Sequence, residues 1–153
     1  MDGYRFYTQI RITPPNGAAE TIDLMTDLTR VPGLGPAQVE LEYTVQRKER
    51  QDINRRLRSR IDGVRPTVTL TIEAGGDMAD SAIVARILNA LLDREKAVEL
   101  TLDGGTAWRE VELSKFKGPT PNRGKTFAGC RWEITLLGVE LLTEIPDLMQ
   151  GNW

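Results

Sequence analysis

Strict alternation of apolar and polar residues is the feature that most restricts the fold of this chain. In residues 39–46 and 67–72 every second side chain is apolar, and the positions between them are mostly Glu and Thr. Residues 98–102 and 130–136 follow the same period. Because successive side chains of a β-strand point to opposite faces of the sheet, this pattern predicts half-buried strands.

One segment, residues 77–96, carries a helical period instead. Asp77 and Asp80 predict an N-terminal cap and a carboxylate in the first turn. Apolar side chains recur at spacings of three and four residues, and they are Val84, Ile87, Leu88, Leu91 and Leu92. A helix with a single apolar stripe packs on a sheet, so all five are expected to be buried there.

Turn residues separate the predicted strands. Asn16-Gly17, which follows two prolines, predicts a hairpin between 4–12 and 19–25. The Asp-Gly-Gly sequence at 103–105 predicts a second hairpin, whose return strand covers 108–113.

Two further segments, 26–36 and 117–125, are rich in proline and glycine and are predicted to be loops. Gly138 shifts the parity of the alternation, so we expect a bulge or bend there, followed by a few final strand residues. The chain as a whole predicts an α+β fold in a single domain, residues 1–153. This domain is a mainly antiparallel β-sandwich or open barrel with about seven strands, one packed helix, a projecting arm at about 47–65 and a short tail at about 145–153.

The arm, residues 47–65, concentrates positive charge. It holds eight basic and three acidic residues, a net charge of +5, and because the whole chain carries −2 the remainder carries −7. Such opposite charges on every copy favour head-to-tail attraction between copies. The candidate contact residues are Arg47, Lys48, Arg50, Arg55, Arg56, Arg58 and Arg60.

Three interpretations of this arm stay open: docking on a partner, a solvated segment, or contact with nucleic acid. Two features argue against nucleic-acid binding. Residues 47–65 contain no aromatic side chain that could stack on a base, and the rest of the chain is acidic. Ile53, Leu57 and Ile61 recur at steps of four, which would also suit a short amphipathic helix with a basic outer face.

Catalytic and cofactor motifs are weak. The chain has no histidine, the usual general base and metal ligand, and its one cysteine, Cys130, lies on the apolar side of a predicted strand. The sequence around Gly124-Lys125-Thr126 departs from a phosphate-binding loop in spacing, in its prolines and in the strand that follows. The Glu residues are scattered on outward strand positions, and the tryptophans Trp108, Trp132 and Trp153 are typical of core or interface anchors. We therefore expect no catalysis, no cofactor and no metal site.

No stretch is long and apolar enough to span a membrane, and no signal peptide is evident.

The order of these elements resembles a known group of proteins. A hairpin, a strand, a long arm, a strand beginning DGVRPTVTLTIE, one helix, a hairpin around LTLDGGTAWREVEL and a long closing strand are similar to the ring-forming module of tailed-bacteriophage tails. The resemblance covers roughly residues 4–145 and is greatest to distal tail proteins, with tail-tube proteins next. Because distal tail proteins often carry a second domain after this module, a tube, tail-completion or baseplate-ring role stays open.

The resemblance implies a virion structural protein that assembles as a homohexameric ring around the tail channel. It implies arms that reach to the next copy or ring, and tube, hub or baseplate proteins as neighbours. DNA would pass only as cargo, and no membrane would be involved. The expected location is the virion tail, after synthesis in the host cytoplasm. The alternatives are a tail-completion or terminator protein and a nucleic-acid-binding adaptor that uses the arm.

Overall fold

The structure, a computed structural model, describes residues 7–24, 38–51, 53–75, 78–123, 126–147 and 153. These residues contain seven strands and one helix. In chain order they are β1 Gln9–Thr13, β2 Glu20–Asp23, β3 Gln38–Gln51, β4 Leu57–Gly75, α1 Met78–Leu92, β5 Ala97–Thr101, β6 Arg109–Arg123 and β7 Thr126–Gly138. Both predicted hairpins are confirmed, as β1–β2 and as the short pairing of β5 with β6.

The strands form one sheet with the order β2-β1-β5-β6-β7-β4-β3, in which all neighbours are antiparallel. The mainly antiparallel architecture with one helix is confirmed. The sheet is open, with β2 and β3 at its edges, so the described residues do not confirm a sandwich or barrel. Alternation shows that one face of each strand is buried, but it does not show what covers that face.

The core lies between α1 and one face of the sheet. Val84, Ile87 and Leu88 of α1 are buried as predicted, and Leu91 is partly buried. Leu92 is 64% exposed, so its predicted burial is wrong. At 3.6 residues per turn this last helical residue lies roughly 80° around the axis from Val84, at the flank of the stripe. The strand residues of the core are Ile10, Ile12, Ile22, Val68, Leu70, Ile72, Val98, Leu100, Val111, Ile134 and Leu136.

The predicted loop at 117–125 is wrong for its described residues, because β6 continues to Arg123 and β7 begins at Thr126. Two of the three register shifts along the β6–β7 pairing lie there, between Lys117 and Thr120 and between Pro121 and Arg123, and they accommodate the proline and glycine residues. Such irregularities leave some ladder positions unpaired, which suits residues that lack an amide donor. The predicted bend follows Gly138, at residues 139–140, but the predicted final strand residues are wrong, because the described residues 139–147 form only an isolated bridge.

Several predictions concern residues outside the described part of the structure. These are the loop at 26–36, the first residues of the first hairpin, the Asp77 cap, and the Gly124-Lys125 pair. The side chains of Asp80 and Cys130 also belong to this group.

Candidate assembly interface

The predicted arm is the outer half of the β3–β4 hairpin. β3 and β4 are paired from Gln38 with Thr71 to Gln51 with Leu57, whereas β7 pairs with β4 only from Thr67 onward. Residues 57–66 of β4 therefore lie beyond the end of the β4–β7 pairing. They span about 30 Å at roughly 3.3 Å per residue. The arm is a two-stranded ribbon that projects from one end of the sheet.

All seven predicted contact residues lie on this ribbon and are exposed. They are Arg47, Lys48 and Arg50 on β3, Arg55 and Arg56 in the turn, and Arg58 and Arg60 on β4. The structure thus brings them together on one projection, whereas their role in binding stays a prediction.

Two details of the sequence interpretation are wrong. The strands do not stop where the arm begins, and residues 53, 57 and 61 do not form a helix, because β4 already includes Leu57 and Ile61. Alternation of polarity marks a strand only where one face is buried. Both faces of the ribbon meet solvent, so the pattern disappears while the backbone pairing continues.

A β-bulge at the base of the arm decides which side chains share a face. Val45 pairs with Val64 and Gln46 with Gly63. The register then shifts, so that Arg47 pairs with Ile61 and not with Asp62. The extra residue, Asp62, changes the parity of β4. As a result the core-facing side of the sheet continues along the arm through these residues: Ile61, Ser59 and Leu57 of β4, and Arg47, Glu49 and Gln51 across from them on β3.

The opposite face of the arm is cationic. Lys48 lies directly across from Arg60, and Arg50 lies across from Arg58. Arg60 also forms an exposed ion pair with Asp62 at 3.0 Å. Like charges in cross-strand pairs disfavour the ribbon by about 0.2–1 kcal/mol each. A negatively charged surface placed against this face would relieve that repulsion.

The base of the arm is fixed to the body by named contacts. Val64 and Leu142 exchange two backbone hydrogen bonds of 2.8 Å. Arg65 donates to the carbonyl of Gly138 at 2.8 Å and to Glu112 at 2.5 Å. These contacts join β4 to two other parts of the chain, so the arm leaves the sheet in a defined direction.

Residues 139–147, which we call the exit segment, lie beside this base. The segment carries exposed apolar side chains at Val139, Leu141 and Ile145, the last 62% exposed. The segment also contains Glu140, Glu144 and Asp147 and has no basic residue, so its net charge is −3.

The outward carboxylates of the central strands are largely engaged by arginines. Arg11 contacts Glu99 through two hydrogen bonds of 3.2 and 2.9 Å, and its guanidinium lies 4.3 Å from the centre of the Trp108 ring. Glu112 is held by Arg65.

Within the described residues no group of three or more His, Cys, Asp or Glu side chains could hold a metal ion. No described helix is long and apolar enough to cross a membrane.

Sequence reasoning missed two features of this region. The side of the arm that Leu57 and Ile61 share was not identified, because the bulge that places them there has no clear sequence signal. The exit segment was treated as the end of the last strand, although its alternation of apolar and acidic residues without basic ones, VELLTEIPD, marks it as distinct.

Comparison with known proteins gives a weak structural likeness. No protein-family model matches the chain, and no curated protein does. The structure is similar to a cryo-EM structure of the anti-feeding prophage cap, described as a tube-terminating cap. The TM-score is 0.39 and the identity is 15%, over 90% of this chain and 86% of that chain. A distal tail or tube role and a hexameric ring stay predictions.

Proposed function

We propose that the protein is a structural component of a phage or phage-like tail, and that its copies join head to tail through the arm. The observation that carries this proposal is the ribbon itself, which projects about 30 Å beyond its pairing with β7 and presents seven exposed basic residues. A projection of this length and charge suits a second chain better than its own acidic body.

The order of elements supports the tail assignment. The described residues follow the sequence of hairpin, strand, arm, strand, helix, hairpin and closing strand on which the resemblance to tail ring modules depends. A ring needs two different complementary surfaces on each copy, because each copy contacts the next in the same direction. The arm with +5 and the rest of the chain with −7 supply such surfaces.

In its finer form the proposal is a homohexameric ring around the tail channel, at the distal end or in the tube, with a tail-completion or terminator role as the alternative. Tube, hub or baseplate proteins would be its neighbours, and the virion tail its location. The proposed role needs neither catalysis nor a cofactor.

The test is a charge reversal in the arm. Replacing Arg55, Arg56, Arg58 and Arg60 by Glu changes the arm from +5 to −3, because each of the four replacements removes two units of charge. It also turns the repulsive pairs of Lys48 with residue 60 and Arg50 with residue 58 into attractive ones, so the ribbon should stay folded. We expect cooperative melting and a loss of ring formation.

Solution mass and electron microscopy of the wild type and the variant measure the outcome. Replacing the same four arginines by Lys is the matched control, and this variant should assemble because it keeps the charge. Normal assembly of the Glu variant would show that the arm is a solvated segment. Loss of its fold would show that the ribbon is needed for folding and would contradict a role in assembly alone.

A second candidate function is an adaptor for nucleic acid. The cationic face with Lys48, Arg50, Arg58 and Arg60 favours it, because a basic ribbon can neutralise phosphates. It would require binding to duplex DNA that weakens steeply with salt, measured by gel shift with the wild type and the Glu variant.

A further inference from the structure

Among the described residues, no strand covers the outer edge of β3. This strand spans Gln38–Gln51 and lies at the end of the strand order, next to β4. The opposite edge strand, β2, has only four residues, Glu20–Asp23. An edge as long as that of β3 presents a row of unpaired backbone groups, which favours the addition of a further strand.

The hydrogen bonds at the base of the arm show which residues of β3 point to this edge. Val64 uses both its N–H and its carbonyl on Leu142, on the side of β4 away from β3. Its pair with Val45 is therefore a non-hydrogen-bonded one, and the N–H and carbonyl of Val45 point to the outer edge. Because the extra residue of the bulge lies on β4, β3 keeps its alternation. Every odd-numbered residue from 39 to 51 thus presents both backbone groups to the outer edge.

The even-numbered side chains of β3 form a row of charges in two halves. Glu40 and Glu42 are exposed at the body end, and Lys48 and Arg50 are exposed at the arm end. None of the four has an ion-pair partner among the described residues. A charged edge normally prevents association because like charges meet. In this row like charges meet only when a second copy approaches in parallel. An antiparallel copy brings its basic half to the acidic half.

We propose that the outer edges of β3 from two copies pair antiparallel about a two-fold axis at Val45. In this register Glu40 lies opposite Arg50 of the second copy, and Glu42 lies opposite Lys48. The two-fold axis repeats both contacts, so four oppositely charged pairs form across the interface. A shift of two residues in either direction keeps only two such pairs, so the charges select this register.

The backbone groups fit the same register. It pairs odd-numbered residues with odd-numbered residues, and two bonds in each of the seven pairs give about fourteen hydrogen bonds. The charged residues fall in the non-hydrogen-bonded pairs, whose Cα atoms lie about 4.5 Å apart and whose side chains are closest. Val45, which is 41% exposed, packs on Val45 of the second copy. The short β2 cannot replace the second β3, because it covers four residues and has no basic side chain.

The contact is closed at two copies, since the same surface is used on both. It goes beyond the proposed head-to-tail assembly and does not depend on it. The charge reversal that tests the head-to-tail contact changes the turn and β4 only, whereas the two-fold contact uses β3.

Charge reversal within the row tests the register. Lys48→Glu with Arg50→Glu makes the whole row acidic. We expect this variant to dimerise at least about tenfold more weakly at low ionic strength, measured by analytical ultracentrifugation. Lys115→Glu with Lys117→Glu is the matched control, because it makes the same charge change at exposed positions of β6. The control should keep the dimer, and a dimer that is equally strong in both variants would overturn the proposal.

Two combinations should restore the dimer. Glu40→Lys with Glu42→Lys makes the row basic and should also prevent homodimers. An equal mixture of this variant with the acidic-row variant should give a one-to-one heterodimer in native mass spectrometry. A chain with all four replacements exchanges the two halves of the row, so it should form homodimers again. Failure of both combinations would overturn the proposal, because a purely structural role of these residues predicts no rescue.

Amide hydrogen exchange tests the backbone pairing. The amides of Tyr43, Val45 and Arg47 should exchange slowly at high protein concentration and rapidly at low concentration. The even-numbered amides between them point to β4 and should exchange slowly at both. Exchange that does not depend on concentration would overturn the β3 pairing, as would a wild-type chain that stays monomeric up to about 1 mM at low salt.

The outcomes separate this inference from the proposed function. Rings that form normally while the row variants change nothing would remove only the two-fold contact. Dimers that respond to the row variants, in a chain whose assembly ignores the reversal of Arg55, Arg56, Arg58 and Arg60, would support the two-fold contact and remove only the head-to-tail contact.

Discussion

Replacing Trp153 by Ala should be among the most destabilising single changes in this protein. Trp153 is fully buried, and its indole N–H donates to the carbonyl of Ala107 at 3.0 Å. Arg109 donates to the carbonyl of Trp153, and its guanidinium lies 5.3 Å from the centre of the ring. The residue thus joins the core to the chain between β5 and β6.

The magnitude follows from burial. A tryptophan buries about 200 Å², and about 25 cal/mol per Å² gives roughly 5 kcal/mol as an upper value. Measured replacements of buried aromatic residues by Ala cost about 3–5 kcal/mol, so we expect a loss of about 4 kcal/mol. Trp153→Phe keeps most of the apolar area but leaves the Ala107 carbonyl without its donor, at a cost of about 1–2 kcal/mol.

Urea unfolding followed by circular dichroism measures both changes. With a urea slope of about 2 kcal/mol per M, Trp153→Ala should lower the midpoint by roughly 2 M and Trp153→Phe by less than 1 M. A shift below about 0.5 M for the Ala variant would refute the burial argument, since a residue without close packing has little to lose.

Two further predictions concern the helix and the base of the arm. Leu88→Ala should cost about 2–5 kcal/mol in urea melts because Leu88 is buried, whereas Leu92→Ala should change stability by less than about 1 kcal/mol; equal effects would contradict the packing of α1. Gly63→Ala should destabilise by about 1–3 kcal/mol, because Gly63 has φ 151° and an added Cβ would lie 2.8 Å from the carbonyl oxygen of Leu142. Hydrogen exchange should then show faster exchange at the Val64 amide, and an unchanged rate would count against this account of the arm base.

Much of the fold was accessible from the sequence because its signals are local. The alternation in 39–46 and 67–72 identified half-buried strands, and the turn residues identified both short hairpins. The spacing of Val84, Ile87 and Leu88 identified the buried stripe of α1. These patterns depend on the geometry of one element at a time, so no knowledge of the neighbours is needed.

The charge of the candidate site was equally accessible, but its form was not. The sequence located the seven basic residues on one segment, since composition requires no structure. That segment shows neither period clearly, because neither face of the ribbon is buried. Only the pairing of β3 with β4 distinguishes a ribbon from a helix or an irregular arm, and that pairing depends on the approach of two separate segments.

The sequence by itself determined the strands near the body, the helix and the concentration of positive charge on residues 47–65. The tertiary structure alone decided the strand order, the openness of the sheet and the bulge at Asp62. The bulge in turn decides which arm residues are cationic neighbours and which continue the core-facing side of the sheet. The physical reason is that a strand has a two-residue period but no preferred partner. One extra residue in a ladder exchanges the two faces, and its position is fixed by the partner strand and not by the bulged residue itself.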